Sequence, residues 1–140
     1  MRVMGVDVGA RRVGLAISDA TGMLARPLIT LQVTDDADAI ARVAQAIADA
    51  ASDEDGLAAV VVGMPAHLDG TPSPQTAHVT AFVAALRART AVTIVTEDER
   101  LTSREAESRL AVHERGWRKR KEKIDATAAA IILQDYLDRP

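Results

Sequence analysis

The sequence contains no cysteine, and its aromatic residues are only Phe82, Trp117 and Tyr136. The lack of cysteine excludes disulfides and thiolate metal sites and is typical of a reducing compartment. No apolar run approaches the roughly 18 residues that a membrane span requires. Because the chain passes from Met1 directly into a strand pattern, without a preceding signal segment, we expect a cytoplasmic protein.

Aliphatic residues are nearly all of the hydrophobic side chains that can form a core. Hydrophobic residues form 48% of the 140-residue sequence, which predicts a single domain, residues 1–140, with a sizeable core. The formal net charge of −3 does not favour general binding of nucleic acid, but the charges are separated. Residues 35–55 carry seven acidic residues and one arginine, whereas residues 115–123 (RGWRKRKEK) carry six Lys or Arg. We expect only the second segment to attract phosphates.

Hydrophobic periodicity predicts five strands and four helices in the order βββαβαβαα. A GARR turn joins the first two strands as an antiparallel hairpin, and Pro27 favours an edge position for the third. The fourth strand, LAAVVVG, is apolar throughout, which is typical of a strand buried on both faces, and we expect the fifth strand, AVTIVTE, to be buried as well. The predicted strands cover residues 3–8, 13–17, 23–33, 57–63 and 91–97, and the predicted helices cover residues 35–52, 75–89, 103–113 and 123–137. This order is typical of an α/β domain with a mixed sheet and helices on its faces; only residues 115–123 are expected to be flexible.

Acidic residues occur at three notable positions. Asp7 lies inside the first predicted strand, Asp98 and Glu99 follow the last strand, and Asp125 begins the last helix. A central strand, the end of its parallel neighbour and a helix across them can meet at one point. Carboxylates that meet there repel one another unless a divalent cation binds. The pattern therefore predicts a metal site formed by these acids.

The expected cation follows from the ligand type. Oxygen ligands without cysteine favour Mg²⁺ or Mn²⁺ over zinc, and two such ions are the usual device for hydrolysing a phosphodiester. Because successive strand residues face opposite ways, only one of Asp98 and Glu99 can point at the ions; we prefer Asp98 and keep Glu99 as the alternative. The predicted metal ligands are thus Asp7, Asp98 and Asp125, and the predicted catalytic residues are these three and Glu99. A hydrogen-bonded Asp7 at a bulge, and Asp125 as a helix cap, are the structural alternatives.

Small residues surround two of these acids. Gly5 and Gly9 flank Asp7 and would allow a bulky ligand to approach the backbone. Alanines at 126 and 128–130 follow Asp125 and would let the last helix lie close to the sheet. Such a close approach is what would bring Asp125 to Asp7.

The basic segment 115–123 directly precedes Asp125. A solvated charge run is its ordinary interpretation, but beside a metal site it can hold a phosphate backbone, and Trp117 can stack on an unpaired base. Arg12 and Arg100 are further candidates for phosphate contact, with a surface ion pair as the alternative for Arg100. The predicted nucleic-acid-binding residues are Arg12, Arg100, Trp117, Arg118, Lys119, Arg120 and Lys121.

Four motifs together resemble the YqgF/RuvX family, Holliday-junction-resolvase-like proteins of the RNase H-like fold that are also described as pre-16S rRNA nucleases. The first is GVDVGARRVGLAISD, which meets the pattern G-x-D-x-G-x-x-R-x-G-x-A. The others are VVGMPAHLDGT, TEDERLTSREA and KIDATAAAIIL. The resemblance covers the chain nearly end to end. Ala66 and His67 depart from the pattern, where a larger apolar residue and Asn are expected.

The resemblance implies a five-stranded mixed sheet, three antiparallel strands followed by two parallel ones, and a metal-dependent nuclease that matures the 5′ end of precursor 16S ribosomal RNA. A Holliday-junction resolvase acting on branched DNA and a non-catalytic RNA-binding ribosome-assembly factor are the alternatives. DVGARRVG also resembles the phosphate loop of the actin/hexokinase ATPases, but these close two such domains around ATP. The sequence is compatible with a monomer or a homodimer and leaves RNA and branched DNA both open as substrates.

Overall fold

The computed structural model describes residues 1–65, 70–98 and 117–139, and in the last range it describes side chains from Ala126 onward. In this part of the chain, five strands alternate with three helices in the order βββαβαβα. The elements are β1 (Arg2–Val8), β2 (Arg12–Ser18), β3 (Ala25–Gln32), α1 (Asp36–Ala51), β4 (Leu57–Met64), α2 (Pro74–Arg87), β5 (Thr93–Asp98) and α3 (Trp117–Leu137). The helix predicted at residues 103–113 lies outside the described residues.

The strands form one sheet in the order β3-β2-β1-β4-β5. The first three strands pair antiparallel, whereas β4 pairs parallel with both β1 and β5. The Gly9 N–H donates to the Arg12 carbonyl at 2.8 Å and closes the β1–β2 hairpin at the predicted turn. β3, which contains Pro27, forms one edge of the sheet and has a register shift beside Ala16. The predicted mixed α/β sheet is therefore confirmed.

One face of the sheet packs against α1 and α2. Alternate residues of the strands, among them Met4, Val6 and Val62, form a core with Ile47 of α1 and Phe82 of α2. The side chain of Asp35 caps α1 by accepting a hydrogen bond from the Asp38 N–H at 2.8 Å. A cap of this kind stabilises a helix by about 1 kcal/mol. The cap fixes where α1 begins, and its buried residues Ala39, Val43 and Ile47 hold it against the sheet.

The other face of the sheet packs against α3. Ala129, Ala130, Ile132 and Leu133 form a second core there with residues that include Val3, Ala16 and Val61. A Cβ atom at Gly5 would lie 2.8 Å from the carbonyl oxygen of Ala129 and 2.8 Å from the Cβ of Leu133. Real Cβ atoms do not come so close, so glycine at position 5 and alanine at 129 together permit the predicted close approach.

The turn between β2 and β3 is organised by Asp19. Its carboxylate accepts hydrogen bonds from the Thr21 hydroxyl at 2.7 Å, the Met23 N–H at 2.9 Å and the Leu24 N–H at 3.1 Å. These hydrogen bonds lower the pKa of the Asp19 carboxyl below its ordinary value, because they favour the charged form. The bond from Thr21 has the largest effect. The turn directs the chain into β3.

Two predictions about secondary structure are wrong. α3 begins at Trp117, so residues 117–123, which we expected to be flexible, have a helical backbone. Lys, Arg and Glu are good helix formers, and neither glycine nor proline interrupts the chain between Trp117 and Asp125. β5 is an edge strand in which only Ile94 and Glu97 are buried, whereas we expected burial on both faces. In the described part of the chain, no helix has the length and apolar character needed to cross a membrane.

Candidate active site

Asp7 lies in the middle of the sheet, on the face that α3 covers. Its neighbours Val6 and Val8 belong to the core on the α1 side, so alternation directs Asp7 to the opposite face, together with Gly5. Asp7 is paired with Gly14 of β2. On the other side, continuing the β1–β4 register one residue beyond the pair Val6–Val62 brings Gly63 beside it.

Four glycines therefore surround Asp7, namely Gly5 and Gly9 along β1 and Gly14 and Gly63 on the neighbouring strands. None of them places a side chain next to the half-buried carboxylate. Gly5 and Gly9 are recognisable from the sequence, because they flank Asp7 in the first motif. The glycines on the neighbouring strands became recognisable only through strand pairing. The arrangement leaves room around Asp7 for a ligand that approaches the backbone.

The direction of α3 follows from its contacts. Ala129 lies over Gly5, and Gln134 accepts a hydrogen bond from the Ala25 N–H at 2.9 Å. Ala25 pairs with Ser18, which lies two residue rows nearer to the start of β1 than Gly5. The helix thus runs from the Asp7 end of β1 toward its beginning. Position 125, one turn before Ala129, accordingly lies toward the Asp7 end, while the Asp125 side chain is outside the described ones.

Asp98 ends β5 and is exposed. It is paired with Met64, whose side chain packs against the core on the α1 side. The structure therefore brings Asp7 and Asp98 to the same end of the sheet, but strand alternation assigns them to opposite faces. Glu99 and Arg100 lie outside the described residues.

Glu97 is an acidic residue that sequence analysis did not select. It pairs with Gly63 and so lies in the same row and on the same face as Asp7. It is only 4% exposed, and its Oε1 atom lies 2.5 Å from an Nη atom of Arg139, which follows α3. The only indication of Glu97 in the sequence is its position in the fifth strand, one residue before Asp98.

Among the predicted nucleic-acid-binding residues, the structure describes the side chain of Arg12 but only the backbone of residues 117–121. Arg12 begins β2, is half-buried and lies beside the hairpin that follows Asp7. Trp117, Arg118, Lys119, Arg120 and Lys121 form the first turns of α3, and their side chains are outside the described ones. His78 of α2 and Asp36 of α1 form a hydrogen bond on the opposite face of the sheet from Asp7, with 2.8 Å between His78 Nε2 and Asp36 Oδ1.

The loop after β4 is attached to α2. The Thr76 hydroxyl donates to the Pro65 carbonyl at 2.6 Å, and the Ser73 N–H donates to Thr76 Oγ1 at 2.8 Å. Gly70 has a φ of 90°, which a residue with a side chain rarely adopts. These contacts hold the described ends of the loop near the carboxyl end of β4, where α/β proteins bind ligands. Residues 66–69, including Ala66 and His67, lie outside the described ones.

Asp7 is the one predicted ligand whose side chain the structure describes on the α3 face, and its carboxylate is a donor that hard divalent cations accept. Among the described side chains, no three His, Cys, Asp or Glu residues lie close enough together to hold a metal ion. Of the three predicted ligands, however, the Asp125 side chain is not among those described. Asp7 contributes carboxylate oxygens, and oxygen ligands suit Mg²⁺ or Mn²⁺.

Comparison with known proteins agrees with the motifs. A family model described as "RuvX: Holliday junction resolvase" matches residues 1–139. A relative from Desulforudis audaxviator is 39% identical over 99% of this chain and 94% of its own length. A relative from Chloroflexus aggregans is 44% identical over 97% of this chain and 92% of its own length. Both are named "Putative pre-16S rRNA nuclease".

Solved structures confirm the RNase H-like fold. RuvC from T. thermophilus, in complex with a Holliday junction substrate, superimposes with a TM-score of 0.56 at 15% identity, over 99% of this chain and 96% of that chain. A second Thermus thermophilus RuvC structure gives a TM-score of 0.50 at 16% identity, over 94% and 92% of the two chains. At these identities the likeness concerns the fold, whereas the sequence matches extend over the whole chain. The chain therefore belongs to the RuvX (YqgF) family.

Proposed function

We propose that this protein is a metal-dependent nuclease that hydrolyses phosphodiester bonds during maturation of the 5′ end of precursor 16S ribosomal RNA. The observation that carries the proposal is the position of Asp7. Its carboxylate is flanked by four glycines, and it lies on the face and at the end of the sheet toward which position 125 of α3 is directed. The names of the curated relatives support RNA as the substrate.

Asp7 and Asp125, with Asp98 or Glu99, would hold two Mg²⁺ or Mn²⁺ ions. Such ions, when bound, supply a water of lowered pKa and a positive charge beside the leaving oxygen. The carboxylates fix the position of these charges, and the glycines admit the phosphate backbone. Arg12 and the basic residues of the first turns of α3 would attract phosphates and position the strand, and Trp117 would offer a ring on which an unpaired base can stack.

A cleavage assay tests the proposal. Highly purified protein is incubated with precursor 16S RNA that carries its 5′ extension, in Mg²⁺, Mn²⁺ or EDTA. We expect metal-dependent cleavage that Asp7→Asn lowers by at least about 100-fold, as expected for the loss of one charge-stabilising group. Asp49→Asn, an exposed exchange on α1 at the opposite face, is the matched control and should cleave normally. Equal rates in the Asp7 variant and the wild type would contradict the proposal.

Branched DNA is the second candidate substrate. The description of the matching family model, Holliday junction resolvase, favours it. A synthetic four-way DNA junction in the same assay separates the two candidates, because each predicts faster cleavage of its own substrate. Binding of RNA without cleavage of either substrate would instead indicate a non-catalytic assembly factor.

A further inference from the structure

Glu97 is the one charged side chain that is buried within the described part of the chain. Burial of an unpaired carboxylate is costly, so the position of Glu97 depends on a partner. That partner is Arg139, whose guanidinium lies 2.5 Å away, although the Arg139 side chain as a whole is 64% exposed. Removing either member would leave the other without its compensating charge.

Arg139 is attached to the end of α3. Its N–H donates to the Tyr136 carbonyl at 3.3 Å, and the preceding N–H, of Asp138, donates to the Gln134 carbonyl at 2.9 Å. A hydrogen-bonded turn therefore connects the end of α3 to the residue that contacts Glu97. A cleft of about 450 Å³ lined by Thr96, Glu97, Tyr136, Leu137 and Arg139 borders the pair, so the ion pair spans a region where the helix and β5 are incompletely packed.

Two polar contacts fix this end of α3, at opposite edges of the sheet. Gln134 contacts the start of β3 through the Ala25 N–H and the Met23 carbonyl, whereas Arg139 contacts Glu97 on β5. With Ala129 seated on Gly5 between β2 and β4, the helix is held on both sides. Its rotation and its position along the sheet are thereby restricted.

We propose that the Glu97–Arg139 pair is a positioning device that sets the distance between the strand end carrying Asp98 and Glu99 and the helix carrying Asp125. Asp98 directly follows Glu97, so fixing Glu97 fixes the adjacent backbone. The inference rests on the proposed function, because it assumes that these acids share metal ions. Residues that orient metal ligands from outside commonly change metal affinity by about 10- to 100-fold when altered.

Binding of Mn²⁺ alone, measured by electron paramagnetic resonance and calorimetry without RNA, tests the inference. We expect Glu97→Gln and Arg139→Gln each to weaken Mn²⁺ binding by about tenfold, with little change in RNA affinity in EDTA. Asp53→Asn is the matched control, since it removes the surface ion pair between Arg2 and Asp53 at the far end of β1. The exchanged pair Glu97→Arg with Arg139→Glu should restore part of the affinity.

The outcomes separate this inference from the proposed function. Wild-type protein that does not bind Mn²⁺ would overturn both. Binding that Asp7→Asn abolishes but that Glu97→Gln and Arg139→Gln leave within twofold of wild type would overturn only the positioning role. If Glu97→Gln fails to fold, the Mn²⁺ affinity of Arg139→Gln alone tests the positioning role, because this exchange alters a mostly exposed side chain after the helix.

Discussion

Gly5 of β1 lies directly beneath Ala129 of α3, so closely that a Cβ atom at position 5 would lie 2.8 Å from the Ala129 carbonyl oxygen. The clash involves backbone on one side and the Cβ of Leu133 on the other, neither of which can rotate away. The distance between sheet and helix at this point is therefore set by the absence of a side chain.

Gly5→Ala should lower the free energy of unfolding by about 1–3 kcal/mol, as is typical of overpacking in a filled core. Because α3 must shift to admit the methyl group, cleavage should also fall in conditions where the variant remains folded. Chemical denaturation and the RNA assay measure the two effects. Ala41→Ser, an exchange at an exposed position of α1, serves as the control, and a Gly5→Ala protein of wild-type stability would contradict the close contact.

Asp98→Asn and Glu99→Gln should affect cleavage unequally, because only one of two successive strand residues can face the ions. The pairing of Asp98 with Met64 assigns Asp98 to the face opposite Asp7. We therefore expect Glu99→Gln to be the more harmful exchange. The dependence of rate on Mg²⁺ concentration in each variant distinguishes the two exchanges, and equal, small effects would remove both residues from the ligand set.

Replacement of Arg118, Lys119, Arg120 and Lys121 by alanine should weaken RNA binding and its dependence on salt. Each phosphate contact contributes a slope of about 0.7 on single strands, so loss of most contacts should flatten the slope by roughly two units. Fluorescence titration over a range of KCl concentrations measures it. Binding of Mn²⁺ should be retained, because alanine preserves the helix and the carboxylates are unchanged. An unchanged slope would instead direct attention to Arg12, Arg26 and Arg100.

Asp19 should contribute to stability only above acidic pH. Its folded-state pKa is lowered by the Thr21 hydroxyl and the N–H groups of Leu24 and Met23. A lowered carboxyl pKa stabilises the fold above the unfolded pKa, near pH 4, and this contribution is lost as pH falls through the folded pKa. Asp19→Ala should therefore lower the melting temperature at pH 7 and have progressively less effect toward pH 2. A difference that is independent of pH would contradict this role.

Local pattern was sufficient to predict the hairpins, the parallel strand β4 and the close contact of α3, because strand alternation, Pro27 and the alanines act over a few residues. α3 begins earlier than predicted because the high helix propensity of Lys, Arg and Glu outweighs the repulsion within this run of like charges. Gly14 and Gly63 were missed as parts of the site because only strand pairing brings them to Asp7. The Glu97–Arg139 pair joins distant segments of the chain, and no local pattern indicates it.

The arrangement of α3 on β1 also determines when the candidate site can form. Asp7 lies in the first strand and Asp125 in the last helix, so the two are joined late, after the antiparallel hairpins and the β–α–β crossover have formed their shorter loops. Among the described residues, it is α3 that covers Val3, Ala16 and Val61 on their side of the sheet. A nascent chain on the ribosome would thus expose this apolar face, and its candidate site would remain incomplete, until α3 had emerged.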